Sequence, residues 1–142
     1  MSNMIENFKN LARIKIEKLQ CEVKNINIEV FPIQVYFNLK SSLALGTIRF
    51  ENSNRESFII RLNKSLCEKY EEEYLNYVLT HEFAHACIMS TYKKKCKPYG
   101  KEWKSVMMFL GEQNPRASTD KFKLEKTGHI WNCSCSEFIF GK

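Results

Sequence analysis

His81 and His85 stand four residues apart, and Glu82 directly follows the first of them. On an α-helix that spacing places both imidazoles on one face, one turn apart, where they can share a metal ion. Glu82 then projects beside the ion rather than onto it. From there a carboxylate can take a proton from metal-bound water. His81-Glu82-Phe83-Ala84-His85 is the H-E-x-x-H pattern of zinc-dependent proteases, with Glu82 in the position of the general base. Three fixed positions also match by chance, on two ordinary surface histidines and a glutamate, so the pattern needs a helix around it.

The flanking residues supply one. Leu75, Val78, Leu79, Ala86 and Met89 fall near a helical stripe, and Glu71, Glu72 and Glu73 crowd a first turn, where the helix dipole favours acids. The spacing predicts a helix from about 71 to 92, preceded by a short segment, 64–67, that Asn63 can cap. Upstream, Ile5, Phe8, Leu11, Ala12, Ile16 and Leu19 predict an amphipathic helix over 3–20. Three strands are expected at 34–38, 43–51 and 57–62. Pro32 limits pairing before the first, and Gly46 marks a bulge or a close approach. The turn cluster 52–55 makes the last two strands a hairpin. Downstream, Pro98 and Gly100 break the helical pattern. A second helix, 101–110, carries Trp103, Val106, Met107 and Leu110 on one face and ends at Gly111. Its spacing makes Trp103 a core residue rather than a ligand contact. Residues 113–127 are polar and poor in pattern, and 129–135 and 138–140 read as short strands. The layout is α+β, a small sheet packed on the H-E-x-x-H helix. Strand 57–62 is the expected exposed edge, able to hold an extended peptide by β-augmentation.

The chain has 142 residues, enough for one domain with a real core. Hydrophobic residues make up 44% and charged residues 27%, an ordinary balance for a globular protein, and no apolar run is long enough to cross a bilayer. Residues 1–20 lack the apolar core of a secretory signal, so a cytoplasmic, non-secreted protein with six free thiols is the expectation. The net charge of +6 is local: residues 93–126 hold ten Lys or Arg against four Asp or Glu, and the rest of the chain is balanced at twelve against twelve. Such a block beside an active site points to an anionic partner, nucleic acid first, with Lys93, Lys94, Lys95 and Lys97 as candidate contacts. The plainer reading is a solvated, solubilising face.

Several stretches together carry a resemblance: Ala-Leu-Gly-Thr-Ile within 43–48, Ile-Ile-Arg-Leu-Asn within 58–63, the 81–85 motif, and Pro-Tyr-Gly-Lys-Glu-Trp-Lys-Ser-Val-Met over 98–107. The last is similar to a family segment Pro-His-Gly-Lys-Glu-Trp-Lys. Trp131-Asn132-Cys133-Ser134-Cys135 is similar to the first half of a zinc ribbon. Over about residues 35–136 the chain resembles the SprT-like metalloproteases, which include Spartan. The resemblance implies a zincin-like metalloprotease domain over 1–128 and a partial ribbon-like hairpin over 129–142. It implies zinc as cofactor, His81 and His85 as ligands, and Glu82 as catalytic base. It also implies a protein substrate associated with or crosslinked to DNA, hence a repair role near the nucleoid. Two departures follow. The family's third histidine falls on Tyr99, which takes the third metal position here, with Glu102 as the alternative ligand. A catalytically degenerate DNA-binding protein is the rival. Cys133 and Cys135 would need a second close pair to close a ribbon; Cys21, Cys96 and His129 are the remaining candidates, and free thiols are the expectation.

Overall fold

A computed structural model of the chain describes residues 2–40, 44–92, 97–112, 115, 118–119, 122 and 131–132. Helix α1 (Ser2–Val23) buries Phe8, Ala12, Ile16, Leu19 and Val23, the expected face extended by one turn. It leads through a 3-10 turn to Asn27, whose left-handed φ of 63° closes the turn by donating its N–H to the Lys24 carbonyl. Asparagine tolerates that conformation better than most residues.

Strands β1 (Ile33–Tyr36), β2 (Gly46–Phe50) and β3 (Phe58–Leu62) form one sheet in the order β1-β3-β2. The pair β2–β3 is the antiparallel hairpin the turn cluster predicts, whereas β1 runs parallel to β3. In the turn, Arg55 (φ 59°) donates its N–H to the Asn52 carbonyl and Glu56 donates its N–H to Asn54 Oδ1. Register divides the faces. Phe58, Ile60 and Leu62 sit opposite Phe50, Ile48 and Gly46 on the inner face, while Ile59 and Arg61 share the outer face with Arg49 and Thr47. Strand β3 is therefore the centre of the sheet, and the expectation that 57–62 forms its edge is corrected: β1 and β2 are the edges. The cause is side-chain burial. Phe58, Ile60 and Leu62 are fully covered, and rings from Phe31 and Phe50 stack on Phe58.

Helix α2 (Lys64–Thr91) begins where Asn63 Oδ1 accepts from the Leu66 N–H, the cap read from the sequence. Glu71 interrupts it with φ 56° and ψ −132°, so the short segment and the long helix are two legs of one element. Helix α3 (Lys101–Phe109) buries Trp103, Val106 and Met107 and stops before Gly111, whose φ of 108° suits only glycine well. Helix α2 packs against α1, α3, β2 and β3 and lies at the heart of the domain.

Strands β4 (Ser118–Thr119) and β5 (Trp131–Asn132) pair antiparallel. The first falls in the stretch that reads as patternless. So does Phe122, which is fully buried. Strand β5 lies inside the expected strand 129–135, but its partner comes from upstream. The expected strand 138–140 lies outside the described residues, as do Cys96, His129, Cys133 and Cys135. Among the described residues no helix is long and apolar enough to cross a membrane.

Candidate metal centre

Within the long leg of α2 every residue from 78 to 89 is buried. His81, Glu82 and His85 are exposed by only 1%, 0% and 0%. That sets aside the reading of two surface histidines. A buried polar trio on a helix demands a purpose or partners, because desolvation is costly.

Both imidazoles face α3. The Trp103 indole lies 5.3 Å from the His81 ring, edge-on, and 5.5 Å from the His85 ring, nearly parallel at 23°. The indole Nε1 donates to the His81 carbonyl at 3.5 Å. Tyr77, one turn before His81, also meets that ring, tilted by 34° at 4.4 Å. Tyr99 meets His85 edge-on at 5.1 Å and Trp103 at 5.0 Å. Burial pushes the His81 pKa down to about 4, and burial together with the nearby His81 charge pushes His85 down to about 3. At neutral pH both rings are therefore neutral, the form that offers a lone pair to a metal.

Glu82 faces the sheet. A Cβ placed on Gly46 would lie 2.7 Å from Val78 Cγ1 and 3.4 Å from Glu82 Oε2. The glycine is thus the close approach that the sequence left open beside a bulge. Tyr74 fixes the chain just before it. The hydroxyl donates to the Leu45 carbonyl at 2.6 Å and accepts from the Asn63 N–H at 2.8 Å, tying the entry of β2 to the start of α2.

Tyr99 reaches His85 from the turn before α3, closed by the Gly100 N–H donating to the Lys97 carbonyl. Glu102 is placed differently: its Oε1 lies 3.4 Å from a Cβ built on Gly100, beside its own turn. Among the described residues no three His, Cys, Asp or Glu side chains are grouped to hold a metal. The donor set is two neutral imidazoles with a phenol beside the second. It suits a borderline ion such as zinc, which takes nitrogen and oxygen ligands. Lys97 is exposed at the mouth of the turn, together with Lys101 and Lys104 on α3; Lys93, Lys94 and Lys95 lie outside the described residues. Cys67 and Cys87 are buried free thiols pushed up to about 12 by burial, and they belong to the core. Cys21 is a free thiol at the surface.

Sequence reasoning missed Tyr77 and Phe122. Tyr77 is signalled by its place four residues before His81. Phe122 is a lone aromatic in a polar stretch, and only its three tyrosine partners give it meaning.

The SprT protein of Pseudomonas fluorescens strain Pf-5 is 30% identical over 84 residues, covering 58% of this chain and 51% of its own length. The SprT protein of Escherichia coli O157:H7 is 34% identical over 86 residues, covering 58% and 50%. The chain thus spans about half the length of the curated relatives it matches. No solved structure matches it. The SprT-like family profile matches residues 12–125, a span that takes in α2, α3, the three-stranded sheet and Phe122, and the chain belongs to the SprT-like family.

Proposed function

We propose that this chain is a zinc-dependent endopeptidase of zincin-like type acting on proteins associated with or crosslinked to DNA. The observation that carries the reading is the buried pair His81 and His85, both neutral and both against Trp103, with Glu82 on the next position facing Gly46. His81 and His85 would hold the metal, with Tyr99 as third ligand. A bound zinc ion supplies a Lewis acid that polarises the peptide carbonyl and acidifies water. Glu82, fully buried, takes the proton from the attacking water and returns it to the leaving amine. The substrate strand is proposed to add to β2, because β2 is the edge whose first residue touches the Glu82 side of α2. Lys97, with Lys93, Lys94 and Lys95 before it, is the proposed DNA contact. The resemblance to Spartan-type proteins supports a DNA-activated repair protease, cytoplasmic and near the nucleoid.

One feature favours a second reading. A phenol stands where the family carries its third histidine, so a degenerate DNA-binding protein with a weakened metal site is the rival. Zinc content and DNA-stimulated cleavage of a DNA-bound protein separate the two. Stoichiometric zinc that is lost in His85→Ala, with cleavage lowered about 10²–10⁴-fold in Glu82→Gln, supports the peptidase. DNA affinity without zinc or cleavage supports the rival.

A further inference from the structure

Phe122 comes from a stretch with no apolar periodicity, yet its ring is fully buried. It meets three tyrosines of α2: Tyr70 at 5.1 Å and Tyr74 at 5.7 Å, both edge-on, and Tyr77 at 5.4 Å. Tyr74 and Tyr77 are three apart on the long leg and line one side of it, and Tyr70 reaches the same ring from across the break at Glu71. From there the contacts run to the site by two routes. Tyr77 meets the His81 ring at 4.4 Å, tilted by 34°, and Trp103 meets the same imidazole edge-on at 5.3 Å. Tyr74 hydrogen-bonds the Leu45 carbonyl, next to the glycine that packs on Glu82.

We infer that Phe122 is a positioning residue for His81, acting through Tyr77. With this wedge in place, Tyr77 is in contact with both Phe122 and His81, and the imidazole with both Tyr77 and Trp103, so each ring has less room to turn. His85 shares Trp103 with His81 but meets Tyr99 where His81 meets Tyr77. The wedge therefore acts on one member of the histidine pair. Its consequence for zinc rests on the proposed metal site; its consequence for the orientation of His81 does not. Groups that orient metal ligands typically change affinity by about 10–100-fold when removed.

The test compares the native chain with Phe122→Ala and Phe122→Leu. Two quantities are read: the side-chain NMR signals of His81 and His85 in zinc-free protein, and the zinc affinity by chelator competition. In Phe122→Ala the His81 signals are expected to shift and broaden while those of His85 stay near native. Zinc affinity is expected to fall about tenfold or more. Phe122→Leu keeps most of the volume and is expected to restore both. If the alanine variant does not fold, Phe122→Val takes its place and is read the same way: a loss of order at His81 alone supports the wedge, and native His81 signals overturn it. Tyr77→Ala is expected to reproduce the Phe122→Ala effect without adding to it. Native signals for His81 in Phe122→Ala, or parallel changes at both histidines, overturn the inference. A native chain that binds no zinc but shows the selective His81 effect overturns the metal reading and leaves this one standing.

Discussion

Gly46→Ala is the most direct probe of how closely the sheet is held against the helix that carries the motif. The added methyl carbon would stand 2.7 Å from Val78 Cγ1, with Leu62 Cδ2 and Glu82 Oε2 each at 3.4 Å. Carbon atoms pack best at about 3.5–4.0 Å, so β2 must move off α2 by roughly 1 Å or Val78 must turn. The φ of Gly46 is not positive, so alanine meets no backbone penalty and the effect is steric. Overpacking of this kind costs about 1–3 kcal/mol. The stiffer unfolded chain returns about 0.4–1 kcal/mol. A net loss of about 1–2 kcal/mol corresponds to a Tm lower by about 3–7 °C for a chain of this size. Thermal and urea unfolding of zinc-free protein measure it. A second variant, Val78→Ala, removes the methyl group that the new side chain strikes. The double variant should then be more stable than the two single losses added together, by about 1 kcal/mol. A Gly46→Ala protein that melts at or above the native temperature, or shows no coupling to Val78, would refute the close approach.

Two more outcomes follow from the same packing. Tyr74→Phe removes the hydroxyl that satisfies the Leu45 carbonyl and the Asn63 N–H, both buried, and should cost about 2–4 kcal/mol in urea unfolding. A loss below about 0.5 kcal/mol would mean those groups find other partners. The histidine pair makes the zinc-free chain acid-sensitive. Folded values of about 4 and about 3 lie below the ordinary 6.5, so below pH 6.5 the unfolded chain takes up protons before the folded one does. Stability is full above pH 6.5 and falls as pH drops toward 3–4, by up to about 1.4 kcal/mol per pH unit for each ring. His81→Gln/His85→Gln should flatten that slope, and an unchanged slope would count against burial of neutral imidazoles.

Local chemistry made much of the fold readable. The Asn63 cap, the turn at 52–55, the stop at Gly111 and the apolar face of α1 each depend on a few neighbouring residues. The histidine pair was legible for the same reason, since one helical turn is a local distance. Strand order was not. Strands β2 and β3 are joined by a tight turn, but the parallel partner β1 reaches β3 from the other side, and only the shared burial of Phe58, Ile60 and Leu62 decides that. An unbroken Phe-Ile-Ile run was a hint of a central strand. Phe122 was illegible because its partners lie 45 to 52 residues earlier in the chain.

The break at Glu71 divides the labour within α2. A straight 28-residue helix would be about 42 Å long and would hold one rotational phase from end to end. The interruption lies in a backbone region that costs about 1–3 kcal/mol for a non-glycine residue, and it separates the phase of the capped leg from that of the histidine leg. The capped leg is held by its own contacts, the Asn63 cap and the buried Leu66 and Cys67. Losing one residue between 72 and 80 would swing the histidines about 100° around the axis, away from Trp103. Each leg is thus indexed to its own surroundings, the second of them to an indole.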